Sequence, residues 1–65
     1  MEIKDAARKL YKELIAKFEN VNGSGVGIGN KIVIYLETNE NLDKIPSNYE
    51  GYDVKPSVVG KITAL

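Results

Sequence analysis

The stretch Val21 to Thr38, VNGSGVGIGNKIVIYLET, constrains this chain more than any other part of it. Glycines at 23, 25, 27 and 29 alternate with other residues, and the apolar run Ile32 to Leu36 follows at once. Gly29-Asn30 suits a two-residue hairpin loop, so the stretch reads as a β-hairpin. Such a loop would set Gly27 opposite Ile32, Val26 opposite Val33 and Gly25 opposite Ile34. Directly opposed residues share a face, because side chains alternate along a strand. One face then carries Ile32, Ile34 and Leu36 beside bare glycine backbone; the other carries Val26, Ile28, Val33 and Tyr35. A three-residue loop with a bulge would reverse this parity for one strand. Glycine lets another backbone come close, so a helix is expected across the glycine side.

Residues 3 to 19 have the pattern of that helix. Ile3, Ala7, Leu10, Leu14 and Phe18 recur at steps of three and four, which stacks them on one helical face. Ala6, Tyr11 and Ile15 widen the stripe, and Asn20, Asn22 and Gly23 supply the stop. Residues 39 to 51 form a polar connection punctuated by Asn, Pro, Ser and Gly, tacked to the core by Leu42, Ile45 and Tyr49. A third strand is expected over Tyr52 to Val59, with Tyr52, Val54 and Val58 on one side. Pro56 cannot donate to a ladder, which places that strand at a sheet edge. Gly60 marks a bend, and Lys61 to Leu65 are expected to continue extended. The fold class is α+β: one N-terminal helix packed on a three-stranded, mainly antiparallel sheet, in the order αβββ. Residues 1–65 read as one small domain.

Composition narrows function. The chain has no cysteine, so no disulfide supports a core this small, and no histidine, the commonest acid-base residue and metal ligand. Net charge is zero and the pI is about 6.2, so bulk attraction to nucleic acid or an anionic membrane is not indicated. No long apolar run or signal peptide is evident, and a cytoplasmic location follows by default. Asn22-Gly23-Ser24 matches a glycosylation sequon, which without a secretion signal carries no weight.

Several segments together resemble a known domain. They are Gly25-Val26-Gly27-Ile28-Gly29, Ile32 to Glu37, Ile45-Pro46, Glu50-Gly51 with Val54, and Val59-Gly60-Lys61-Ile62 with Ala64-Leu65. Over residues 20 to 65 the chain is similar to a small α/β domain ahead of the catalytic domain in some prokaryotic trypsin-like serine proteases. The resemblance implies a domain that accompanies an enzyme. It carries over no catalytic residue, because this chain has no histidine for a triad.

The candidate sites are few. A dinucleotide fingerprint would need glycine at 28 or 30, where Ile28 and Asn30 stand, and it would have to open a helix. Gly60-Lys61 lacks the hydroxyl residue of a phosphate loop, because Ile62 follows. Glu37, Asn39, Asn41 and Asp43 alternate like calcium ligands, but Leu42 and Asn48 stand where the loop requires glycine and glutamate. Lys4, Arg8 and Lys12 form a helical row that could contact an anion, although such rows are usually solvated flanks. No catalytic, cofactor-binding or metal-binding residue is assigned.

Val26, Ile28, Val33 and Tyr35 remain as the informative set. One helix can roof only one sheet face, and an apolar face left open on a small domain usually marks an interface. The expected function is a non-enzymatic interaction or accessory module, self-associating through this face as a homo-oligomer or binding another protein. The alternatives are coverage of the face by residues 39 to 51, and nucleic-acid binding through Tyr35 or the Lys4/Arg8/Lys12 row. Nucleic acid is disfavoured because Lys31 alone flanks the face.

Overall fold

Helix α1 spans Ile3–Ile15, shorter than the expected 3–19. The chain leaves it through a turn in which the N–H groups of Lys17 and Phe18 both donate to the Leu14 carbonyl. The computed structural model describes residues 1–60; the extended run expected from Lys61 to Leu65 lies outside them. Ala6, Ala7, Leu10 and Leu14 are buried, and Ile3, Tyr11 and Phe18 pack against them. The expected stripe therefore faces the core, except that Ile15 turns outward.

Four strands follow: β1 Val21–Gly27, β2 Lys31–Leu36, β3 Asn48–Tyr49 and β4 Tyr52–Val58. They form one sheet in the order β1-β2-β4-β3. The α+β class is as expected; the sheet differs from the expected three-stranded, mainly antiparallel one in having a fourth strand and one parallel pairing. β1/β2 and β3/β4 are antiparallel, whereas β2 and β4 are parallel. Residues 37–51 connect them as a crossover, and a dozen or more residues is the length that parallel pairing requires. The extra strand β3 is joined to β4 by Glu50-Gly51. Both residues have positive φ, 52° and 84°, as a two-residue type I′ loop demands.

β4 lies between β2 and β3, not at an edge as Pro56 suggested. The proline is tolerated because, among the described residues, the outer side of β4 is unpaired where it sits. The Val59 N–H donates inward to the Leu36 carbonyl, and the Val54 N–H donates outward to the Ser47 carbonyl. Alternation turns the Pro56 nitrogen outward as well, past the end of the two-residue β3, where no donor is needed.

The core lies between α1 and one face of the sheet. Ile32, Ile34 and Leu36 are completely buried, joined by Val21, Val54 and Ile45. Ile45 belongs to the crossover, which therefore runs on the helix side. Leu42, also expected to anchor it, is exposed.

Polar contacts pin the connections down. Asn20 is the single buried polar residue among those described. Its Nδ2 donates to the carbonyls of Glu40 (2.7 Å) and Thr38 (3.2 Å), its Oδ1 accepts from Asn41 Nδ2 (3.3 Å), and its backbone carbonyl accepts from the Glu37 N–H (2.7 Å). Two paired tyrosines tie the β3–β4 hairpin to the helix and to the N-terminal residue ahead of it. The Tyr49 hydroxyl donates to Glu13 Oε2 (2.5 Å), and the Tyr52 hydroxyl donates to the Met1 carbonyl (2.6 Å).

The Glu13 bond generates a test. By accepting from the neutral phenol, Glu13 pushes the Tyr49 pKa up from 10.0 to about 12, with smaller contributions from burial and the negative charges of Glu13 and Glu50. A pKa raised on folding stabilises the fold below the unfolded value and loses that contribution as pH climbs through the folded one. Stability should therefore fall between pH 10 and about 12. Tyr49→Phe should flatten that limb in denaturant titrations. Phenolate absorbance should show Tyr49 titrating late, and Glu13→Gln should bring its pKa back toward 10.0.

Candidate interaction surface

The register of the hairpin decides what each sheet face carries. Gly27 pairs with Lys31, Val26 with Ile32, Gly25 with Val33, Ser24 with Ile34 and Gly23 with Tyr35. The loop therefore has three residues, Ile28, Gly29 and Asn30, the last two at positive φ. This corrects the two-residue loop and reverses the parity of β1. The glycines lie with Val33 and Tyr35, on the face away from the helix, while Ser24 and Val26 lie on the helix side. Had the glycines stayed under the helix, their missing side chains would have left voids beside Ile32 and Ile34.

A second irregularity restores the core at the start of β1. Val21 pairs with Leu36 and Gly23 with Tyr35, so Asn22 is bulged out of the ladder. The bulge returns Val21 to the buried side. The freed Asn22 side chain donates from Nδ2 to the Gly60 carbonyl at 2.9 Å.

The candidate set Val26, Ile28, Val33 and Tyr35 is thus divided. Val26 belongs to the helix face and is half-exposed at its margin, and Ile28 projects at the hairpin tip, 99% exposed. Val33 and Tyr35 stay on the open face, and Tyr35 lies along β1. A Cβ built on Gly25 would sit 3.5 Å from both Cε2 and the hydroxyl oxygen of Tyr35, and one on Gly23 would sit 3.9 Å from Cδ2. The ring covers backbone that glycine leaves bare, as aromatic residues do beside glycines in edge strands. Parallel pairing adds Lys55 beside Val33 and Ser57 beside Tyr35. Lys31 and Asp53 complete the face by strand alternation. Lys55 is the flanking cation that sequence reading missed, because its place depends on an unexpected parallel register.

The other candidates are scattered. Lys4 and Arg8 line a groove between α1 and β1, together with Tyr11 and the segment from Gly23 to Val26; Lys12 does not line it. The proposed calcium-like residues do not assemble, since Asn41 is committed to Asn20 and sits at a φ of 64°. Among the described residues, no three acidic, histidine or cysteine side chains come together as a metal site. No described helix is long and apolar enough to cross a membrane.

No protein-family model, no curated protein and no solved structure matches this chain.

The register can be checked at the glycines. A Cβ on Gly27 would stand 2.9 Å from Cγ2 of Val33, a side chain stiff about χ1. Gly27→Ala should therefore destabilise by about 1 kcal/mol, as overpacking does, and Val33→Ala in the same chain should relieve it. Gly25→Ala meets Tyr35 at ordinary contact distance and should be neutral or stabilising by up to about 1 kcal/mol. Urea titrations of the three variants decide it; equal losses at both glycines would contradict the pairing.

Proposed function

We propose that this chain is a non-enzymatic interaction module that self-associates through the open face of its sheet. One observation carries the reading. The Tyr35 ring lies on Gly23 and Gly25 beside Val33, on a face covered neither by α1 nor by the crossover, whose Ile45 is buried on the helix side. Ring, valine and bare backbone make a flat surface, which a second flat surface can meet with little loss of side-chain freedom. Two-fold symmetry lets one patch serve both partners. The working residues are Val33 and Tyr35, with the glycines in place of Val26 and Ile28. The likeness to protease-preceding domains supports an accessory role beside an enzyme, and a cytoplasmic setting is part of the same reading.

Mass measurement across a dilution series tests this. A dimer is expected at high micromolar concentration, dissociating on dilution and abolished by Tyr35→Glu with circular dichroism unchanged. A monomer at every concentration would overturn it.

A second reading rests on the Lys31 and Lys55 flanks. A stacking ring on a sheet face that also carries cations is how single-stranded nucleic acid is held, and here both lysines lie toward the Val33 side of Tyr35. It ranks second because Asp53 shares the face and the chain carries no net charge. It predicts salt-sensitive binding of a labelled oligonucleotide, weakened by Tyr35→Ala and by Lys55→Glu. No binding at high micromolar protein would remove it.

A further inference from the structure

The two edges of the sheet are treated differently. The β4 side is closed by the short β3 and by Pro56, whose outward nitrogen has no hydrogen. Short edge strands and proline are standard means of blocking strand addition. The β1 side has neither. β1 is seven residues long, contains no proline and no lysine, and has no partner on its outer side among the described residues. Its one irregularity, the bulge at Asn22, lies at its first turn of ladder and leaves Gly23 to Gly27 regular.

The surroundings of that edge are charged with one sign. Lys4 and Arg8 of α1 line the groove alongside β1, together with Tyr11, and no acidic residue lines it among those described. On the other face the Tyr35 ring reaches across Gly25 and brings its hydroxyl over β1. A strand added at this edge would alternate its side chains between these environments. One set would point toward Lys4 and Arg8; the other would lie beside bare glycines and the Tyr35 hydroxyl.

We propose that the outer edge of β1 is a strand-addition site for an extended peptide with acidic side chains at alternate positions and small apolar ones between. Backbone hydrogen bonds would hold the peptide, and the cations of α1 would select its charge. A second copy of this chain fits the edge worse. Antiparallel pairing of two β1 strands about a two-fold axis would put both helices on one side of the widened sheet. It would set one Lys4/Arg8 flank against the other. The inference is independent of the open-face reading, because it concerns the edge amides and the helix flank.

The test uses the full chain and a seven-residue, end-blocked peptide alternating valine and glutamate. A lysine-for-glutamate counterpart and a version N-methylated at alternate residues serve as controls. Binding is followed by amide chemical shifts and hydrogen exchange across Gly23 to Gly27. The glutamate peptide is expected to slow exchange at the β1 edge and to weaken with salt. Lys4→Glu with Arg8→Glu, both exposed, should lower affinity about five- to ten-fold while the circular dichroism is unchanged. Equal binding of the lysine peptide, indifference to N-methylation, or edge protection that follows protein concentration without peptide would each overturn the proposal. The last outcome would assign the edge to a second copy.

Discussion

Val26 stands opposite Ile32, and the character of both sheet faces follows from that pairing. Period-two alternation allows no intermediate: a one-residue change in loop length moves every β1 side chain to the opposite face. With a three-residue loop, the helix side receives Ser24 and Val26 and the far side receives glycine. The helix can still come close, because it brings small residues of its own. Ala6 and Ala7 are essentially fully buried, so the close approach is made by α1 and not by the strand. The bulge at Asn22 then reverses the parity once more and brings Val21 inside. Loop and bulge act as a pair: the first opens the glycine face, and the second recovers an apolar residue for the core.

A core this small is supplemented by polar ties at its ends. Asn20 ties the helix–strand junction to the loop after β2, using both ends of its amide and its own carbonyl. A buried amide satisfied in this way is costly to disturb, because truncation would strand several partners at once. Tyr49 and Tyr52 do the corresponding work for the β3–β4 hairpin, using rings for packing and hydroxyls for attachment.

Much of this was legible in the residues, and the failures have physical causes. The helix stripe and the burial of Ile32, Ile34 and Leu36 are periodic signals that survive whatever the rest of the fold does. Gly29 and Asn30 do adopt positive φ, but that preference does not fix how many residues the loop contains, and Ile28 joined it. β3 escaped notice because two residues have no periodicity. Its turn also places Glu50 at a φ of 52°, where Asn or Gly would have been the recognisable signal. The parallel pairing had a signal in the length of residues 37–51. At the candidate surface, Val33 and Tyr35 were readable as a pair, whereas Lys55 was not, because it comes through a long-range register. The basic row was readable from its spacing; its groove with β1 was not.

Pro56 has a consequence for how copies of this molecule can assemble. Endless edge-to-edge growth needs two complementary sticky ends on every unit, so that each addition exposes a fresh one. Here the β4 side is blocked by a residue with no hydrogen to give and by a strand too short to template another. Among the described residues, the sheet therefore offers one edge suited to strand addition, and head-to-tail joining of copies through their sheets is disfavoured. Growth along that axis would end after one event, as with a monomer carrying a single reactive group, which is how a glycine-rich edge unpaired among the described residues is kept from templating a series of copies.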